Sequence, residues 1–135
     1  MGALCYSTKI KLHETDAAGF IFFSNLFKIA HDAYEFLLAE IGFPVADILS
    51  KSDYKLVIVH AEADFFYPLK VNDEIVVKIE LEKIAKTSFI LYYNIIDISK
   101  KTVAEVKTVH VSIDKINSRK KPLSKEFETA LKDYL

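Results

Sequence analysis

The sequence has few cysteines, glycines and prolines, almost no net charge and no long apolar run. Its only cysteine is Cys5, which excludes an internal disulfide and favours a reducing compartment. Three glycines and three prolines leave few breaks, which predicts long elements joined by short loops. The 18 basic and 19 acidic side chains nearly cancel, so the overall charge gives no case for binding nucleic acid or a membrane surface.

Long apolar runs are lacking as well. No run approaches the ~20 residues that a membrane span needs, and the opening MGALCYSTKIKL lacks the apolar centre of a signal peptide, so we expect a cytoplasmic protein. Hydrophobic residues make up 51% of the chain and charged residues 27%, which excludes a disordered polypeptide. At 135 residues the whole chain, 1–135, is expected to form one domain.

Hydrophobic periodicity predicts the order strand, long helix, four strands, final helix. Residues 6–12 alternate as in a half-buried strand. From Ser24 the period becomes i, i+3, i+4, i+7, which predicts a helix of about 17 residues with Ser24 or Asn25 as N-cap and Gly42 as its stop. A single helical turn is expected within the connector 45–54. Further strands are expected at 55–66, 73–84, 87–99 and 102–116, and a helix capped by Ser124 at 124–135.

This order predicts an α+β fold in which the long helix lies against the concave face of a curved antiparallel sheet. In the strand 55–66, simple alternation puts Val57 and Val59 on the face of Ala61. The opposite face would begin apolar and become polar at His60, Glu62 and Asp64. We interpret those three side chains as a solvated or subunit-facing edge, and we expect no metal site there.

The segment between the first strand and the long helix carries the chemistry-bearing residues. Asp16 lies in the turn Thr15–Gly19, a few residues before the helix begins. One interpretation makes it an Asx-turn residue that bonds its own backbone. The other places a carboxylate beside the free amides of a helix N-terminus, where it serves as nucleophile or general base. The turn alone leaves both interpretations open.

This order of elements, with the motif TDAAGFIFFSN at the head of the helix, resembles the hot-dog fold. It looks more closely like the 4-hydroxybenzoyl-CoA thioesterase branch of that fold. That branch is marked by an Asp, two variable residues, a Gly, an apolar stretch and an Asn that opens the helix. Here these are Asp16, Gly19, residues 20–23 and Asn25. The similarity continues through IVHAEADFFYPLKVND and then KTSF, and it covers most of the chain up to about residue 115.

His31 departs from the wider family, in which many members carry Glu at this position. A His within TDAAG…HDAYE looks more like the 1,4-dihydroxy-2-naphthoyl-CoA thioesterases of quinone biosynthesis. From its place on the shoulder of the helical stripe, we interpret His31 as a surface or interface residue. Glu35, four residues on, could pair with it, but an ordinary surface role is favoured for both.

The resemblance implies an enzyme, an acyl-CoA thioesterase that hydrolyses an aromatic acyl group. Asp16 would be nucleophile or general base, and the amide of Phe23 would stabilise the oxyanion, with Ser24 beside it at the pocket. Gly19 would let the backbone approach the substrate, or it is an ordinary turn glycine. Asn25 would orient the carbonyl or the attacking water, or it is only an N-cap.

The resemblance also implies a pocket shared between subunits of a homodimer or homotetramer. Phe20 would line this pocket, and His60 of the other subunit would support it. Lys86, Arg119 and Lys120 would neutralise the phosphates of coenzyme A, or they are simply solvated cations. No cofactor is implied.

Two other functions remain open from the sequence. The thiol carrier could be an acyl carrier protein rather than coenzyme A, in which case the basic loop would meet an acidic partner. A dimer could also hold an acyl thioester without turnover. Against this second alternative, a pure binder gains little from an Asp16 carboxylate that is buried and desolvated.

Overall fold

The computed structural model describes residues 3–135, so residues 1 and 2 of the predicted domain 1–135 lie outside the described residues. The order of elements agrees with the predicted one, and the α+β prediction is confirmed. A 3-10 turn at Leu12–Glu14 lies between the first strand and the long helix. The strands and α-helices are β1 (Leu4–Lys9), α1 (Asn25–Glu40), α2 (Val45–Lys51), β2 (Tyr54–Phe65), β3 (Glu74–Ile84), β4 (Ser88–Asp97), β5 (Thr102–Asp114) and α3 (Lys125–Tyr134).

The five strands form one antiparallel sheet in the order β1-β3-β4-β5-β2. The two longest strands, β2 and β5, pair along nearly their whole length. Within residues 3–135, β2 has β5 as its only strand neighbour, so its other side is an open edge of 12 residues. Such an edge presents unpaired backbone N–H and C=O groups and is a ready template for another strand.

The helix α1 lies on one face of this sheet and supplies the largest part of the core. Its apolar stripe recurs every three or four residues and is almost fully buried, and each buried Leu or Ile contributes roughly 1.5–3 kcal/mol. Gly42, at φ +89°, ends the helix as predicted, with its N–H donating to the carbonyl of Ala39. The buried stripe consists of Leu26, Ile29, Ala30, Ala33, Tyr34, Leu37 and Leu38.

Both ends of the segment before α1 differ from the prediction. β1 ends at Lys9 rather than at residue 12, because the chain leaves the sheet and coils into the 3-10 turn. α1 begins at Asn25, and Ser24 takes the N-cap position, but its hydroxyl makes no capping bond. Ser24 has a helical φ and ψ of −69° and −22° instead of the extended conformation from which an N-cap side chain reaches back.

In β2 the predicted division of side chains between the two faces is wrong for the first half of the strand. A bulge between Ile58 and His60 leaves Val59 without an opposite residue, so the alternation shifts by one. Ile58 lies opposite buried His110, and Ala61 lies opposite buried Thr108. Ile58 and Ala61 therefore share the helix-facing side of the sheet, which explains why the face predicted to be polar begins apolar.

The remaining helices are close to their predicted positions. α3 begins after Ser124, whose hydroxyl accepts the N–H of Phe127 at 3.1 Å, so the predicted N-cap is confirmed. α2 fills seven residues where a single turn was expected. No helix within residues 3–135 is long and apolar enough to cross a membrane.

Candidate active site

The loop that leads into α1 is fixed by a buried carboxylate. Glu14 is only 2% exposed, and its Oε1 accepts the N–H of Lys11 at 2.8 Å while Oε2 lies 3.9 Å from Nζ of Lys28. The Glu14 carbonyl accepts the N–H of Phe22 and the side-chain amide of Asn25, each at 2.9 Å. Glu14 therefore joins the loop to the start of α1. Sequence reasoning missed this residue, although a Glu three positions after a turn start is half of a capping box.

Asn25 is not the N-cap, and the use of its amide to orient the carbonyl or the attacking water stays a prediction. Asn25 is the first residue of α1, and its Nδ2 donates to the Glu14 carbonyl at 2.9 Å. Its amide group therefore holds the loop against the helix start. This contact makes Asn25 a positioning residue for the turn that carries Asp16.

Asp16 forms the predicted Asx turn. Its Oδ1 accepts the N–H of Ala18 at 2.8 Å and that of Phe20 at 3.3 Å. Among the described residues, Oδ2 has no hydrogen-bond partner, and the side chain is exposed in one protomer. The expectation of a buried carboxylate is therefore wrong for the single protomer. The turn orients the carboxylate and leaves one oxygen free, so the structural and chemical interpretations are compatible.

Gly19 completes this turn in the left-handed region, at φ +83°. A Cβ placed on it would meet nothing within 4 Å, so the backbone conformation, rather than packing within the protomer, requires glycine here. The open space also leaves this side of the backbone accessible to another molecule.

Two backbone amides at the start of α1 have no acceptor among the described residues, those of Phe23 and Ser24. The next amides are used, because Asn25 N–H donates to Phe22 at 2.8 Å and Leu26 N–H donates to Phe23 at 3.3 Å. A bridge between Thr15 and Ile21 ties the Asp16 turn to the arm that continues to Phe23. Free N–H groups and the helix dipole give this point a partial positive charge.

Of two cavities in this region, one is lined by the loop and the other by α1. One of about 320 Å³ contains Phe20 and Phe23 in its wall and faces the segment after β2. The other, of about 410 Å³, lies between α1 and β2. His31 is exposed and lines this second cavity, which we call the α1–β2 cleft. The cleft is lined by Phe27, Lys28, His31, Asp32, Ile58, Ala61, Tyr93 and Thr108.

A buried polar chain reaches the wall of the α1–β2 cleft. The hydroxyls of Tyr93 and Thr108 lie 3.0 Å apart, and Thr108 Oγ1 lies 2.7 Å from Nε2 of His110. The His110 ring stacks on Phe89 at 4.7 Å and lies 4.4 Å from the ring of Tyr34. Burial, with a smaller effect of nearby His31, lowers the pKa of His110 to about 3, so its imidazole is neutral.

Sequence reasoning did not single out this polar chain. Simple alternation along the strand expected at 102–116 does put Thr108 and His110 on one face with Ala104 and Val106. The available signal was that two polar residues stand in an otherwise apolar row. All four of these side chains are buried beneath α1.

His60 lies apart from the loop. Its Nε2 is 2.9 Å from Oε1 of Glu62, and both side chains are more than half exposed on the open edge strand. Within residues 3–135, no group of three or more His, Cys, Asp and Glu side chains is arranged to hold a metal ion.

The predicted cations lie at the other end of the sheet from Asp16. The Asp16 turn contacts the segment before β3, through the bridge between Phe20 and Lys70. Lys86 follows the far end of β3, which is about 30 Å long at 3.3 Å per residue. The carbonyl of Lys86 accepts the N–H of Leu123, next to the loop with Arg119 and Lys120. One protomer therefore does not bring the cations and Asp16 together.

Five antiparallel strands around one long helix define the hot-dog fold, which solved thioesterases share. The model of the Thioesterase-like superfamily matches residues 10–131. The chain belongs to this superfamily. The predictions of a hot-dog fold and of a thioesterase are thereby confirmed.

Several proteins of known activity align with nearly the whole length of this chain. A 1,4-dihydroxy-2-naphthoyl-CoA hydrolase of Rippkaea orientalis is 34% identical over 94% of this chain and 94% of its own. The crystal structure of a 1,4-dihydroxy-2-naphthoyl-CoA thioesterase from Synechocystis superimposes with a TM-score of 0.92 at 31% identity, covering 98% of this chain and 97% of that one. A gentisyl-coenzyme A thioesterase gives a TM-score of 0.84 at 26% identity, with 96% and 99% covered.

Proposed function

We propose that the chain is an acyl-CoA thioesterase for an aromatic acyl group, with 1,4-dihydroxy-2-naphthoyl-CoA as its substrate. The observation that carries the proposal is the presence, in one loop, of an oriented Asp16 carboxylate and the two free amides of Phe23 and Ser24. The acyl group is proposed from relatives that match nearly the whole chain and are named for it. The product would then be a dihydroxynaphthoate, a precursor suited to quinone biosynthesis.

Thioester hydrolysis needs a nucleophile at the carbonyl carbon and positive charge near the oxygen that becomes negative. In this proposal the Phe23 and Ser24 amides donate to that oxygen. Asp16 either attacks the carbon, forming a mixed anhydride and expelling the CoA thiolate, or takes a proton from attacking water. In the first route water then cleaves the anhydride and restores the carboxylate. Both routes end in a free acid and a free thiol.

The other residues of the loop have supporting parts. Asn25 and Glu14 hold the turn against α1, so the carboxylate and the amides keep a fixed relation. Gly19 leaves an open backbone surface for the acyl group, and Phe20 offers an aromatic wall. The buried stripe of α1 supports this arrangement, since a rigid helix end positions its amides.

The working unit in this proposal is a homodimer, or a tetramer built from two such dimers. Apolar side chains are exposed along β2 and just after it, with Val59 59%, Phe65 45% and Phe66 50% accessible. A second copy pairing antiparallel along the open edge of β2 satisfies the free backbone groups and covers these side chains. His60 on the same strand would then lie beside the partner subunit.

The same pairing would bring the cations of one subunit to the Asp16 loop of the other. Antiparallel pairing about a two-fold axis places the far end of one sheet beside the near end of the other. Lys86, Arg119 and Lys120 of one subunit then approach the Asp16 loop of its partner, where the phosphates of coenzyme A would emerge. Lys121 is less available for this role, because it pairs with Asp53 at 3.1 Å and Asp114 at 3.6 Å.

A panel of thioesters tests the proposal. Purified protein is incubated with 1,4-dihydroxy-2-naphthoyl-CoA, benzoyl-CoA, straight-chain acyl-CoAs and an acylated carrier protein, and free thiol is followed. We expect the highest kcat/KM for the dihydroxynaphthoyl ester. Thiol release from none of them, together with thermal stabilisation by an ester, would instead indicate a binding protein. If the acylated carrier protein is the best substrate and its turnover falls steeply as salt is added, the thiol carrier is an acyl carrier protein rather than coenzyme A.

A further inference from the structure

The wall of the α1–β2 cleft is mostly apolar, with Lys28, His31 and Asp32 of α1 along one side and a buried polar chain at another. Phe27, Ile58 and Ala61 contribute apolar surface, while Tyr93 and Thr108 belong to the buried polar chain that continues to His110. Tyr93 is 1% exposed, Thr108 5% and His110 0%, so this chain is part of the core rather than a solvated surface. A volume of about 410 Å³ is within the range of small-molecule sites.

Counting protons shows that this chain has one hydrogen-bonding function to spare. A tyrosine hydroxyl, a threonine hydroxyl and a neutral imidazole carry three protons, and the two contacts within the chain use two of them. The third proton lies on Nδ1 of His110, on the Tyr93 oxygen, or on Thr108 Oγ1 when both neighbours donate to it. Nδ1 has no partner among the described residues, and neither has the hydroxyl of Tyr34 beside the same ring.

The hydrogen bonds between Tyr93, Thr108 and His110 can all reverse direction. The Tyr93 hydroxyl at the end of this row can therefore either donate or accept a hydrogen bond. A phenolic hydroxyl on a ligand has the same double capacity. A carboxylate or phosphate can accept but not donate here, so it matches only one of the two hydrogen-bond directions, and the neutral His110 imidazole offers it no positive charge. The chemistry therefore favours an aromatic group that carries a hydroxyl over an anionic or purely apolar group.

The cleft begins at Phe27 and Lys28, about one helical turn after the free amides of Phe23 and Ser24. We propose that this cleft takes the aromatic part of the acyl group beyond Phe20, and that Tyr93, Thr108 and His110 form its hydroxyl-recognising end, which makes the enzyme prefer ring-hydroxylated aromatic acyl groups. The identity of the substrate in this inference rests on the proposed function, whereas the hydroxyl-binding site itself does not.

Tyr93 and Thr108 are specificity-determining residues, and His110 positions Thr108 from behind. Since Tyr93 and Thr108 already bond each other, a missing ligand hydroxyl leaves neither one unpaired. The preference should therefore be about tenfold, rather than the much larger factors seen when a buried group loses its only partner.

The test compares 2-naphthoyl-CoA with 1,4-dihydroxy-2-naphthoyl-CoA on wild type, Tyr93→Phe and Thr108→Val. We expect wild type to favour the dihydroxy ester about tenfold in kcat/KM, mainly through KM, and both variants to lose most of that ratio. Tyr92→Phe is the matched control. Its side chain projects from the opposite face of β4, near Glu105, and it should leave the ratio unchanged. An unchanged ratio in Tyr93→Phe and Thr108→Val, or no preference in wild type, would overturn the proposal.

Binding of the free acids keeps this test separate from catalysis. Wild type and Tyr93→Phe are titrated with 1,4-dihydroxy-2-naphthoate and 2-naphthoate by calorimetry, which requires no turnover. If no thioester is hydrolysed but wild type alone prefers the dihydroxy acid, the hydroxyl site stands and the proposed function fails. If hydrolysis occurs and neither acid is preferred, the proposed function stands and the hydroxyl site fails. Should Thr108→Val not fold, Tyr93→Phe still decides.

Discussion

At the scale of single residues, Asp16 shows how one carboxylate can serve both structure and chemistry. Its Oδ1 bonds two amides of its own turn, and this fixes the side chain without burying it. Oδ2 remains available to a substrate. An Asx turn therefore does not argue against a catalytic role, because it orients the carboxylate before the substrate arrives.

His110 gives a prediction about stability. Its pKa is lowered to about 3 by burial, whereas in the unfolded chain it is near the ordinary 6.5. Below that ordinary pKa the unfolded state binds a proton that the folded state refuses. The stabilising contribution is thus complete above pH 6.5 and is lost as pH falls toward 3. We expect the free energy of unfolding to drop by several kcal/mol over this window, measured by urea denaturation.

The variant His110→Gln should be less sensitive to pH between 6.5 and 4 than wild type. The matched control is His60→Gln, because His60 is exposed on the edge strand and its removal should leave most of the pH dependence in place. Equal pH dependence in wild type and His110→Gln would contradict a neutral, buried imidazole.

At the scale of elements, the sequence was informative wherever local pattern decides the outcome. The 3.6-residue period and Gly42 predicted α1 to within a residue or so, and Ser124 predicted the start of α3. The bulge at Val59 could not be predicted, since an extra residue in one strand is visible only against its partner. Glu14 was missed for a similar reason, because its burial depends on contacts with α1 across the loop.

The open edge of β2 gives a prediction about assembly. Val59→Lys places a charge on the exposed edge, where it opposes pairing with a second copy. We expect the dimer to dissociate at micromolar concentration, as measured by light scattering, and thioesterase activity to fall with it. Folding of the protomer should be little affected, since a surface substitution usually changes stability by about 0.5 kcal/mol or less.

The matched control is Ile98→Lys, which changes an 80% exposed side chain in the turn between β4 and β5. It should remain dimeric and active. A wild-type protein that is monomeric and fully active at micromolar concentration would contradict the shared site.

At the scale of the whole molecule, the two groups of residues proposed for the site lie at opposite ends of the sheet. The Asp16 loop and the free amides lie at one end, and the cations Lys86, Arg119 and Lys120 lie at the other. The sequence indicated both groups through its resemblance to a family. It could not give their separation, which follows from strand order and from the direction of β3. In the proposed two-fold dimer these two groups would come together without any change within the protomer.

The most direct measurement of the central claim is the turnover of 1,4-dihydroxy-2-naphthoyl-CoA by Asp16→Asn. Asparagine keeps an oxygen that can accept the turn bonds of Oδ1, so the fold should be retained while the carboxylate is lost. The matched control is Asp97→Asn, in which another Asx-turn carboxylate is changed at the end of β4. We predict that kcat falls at least about 100-fold in Asp16→Asn and stays near wild type in Asp97→Asn. An Asp16→Asn enzyme that turns over at the wild-type rate would contradict the account.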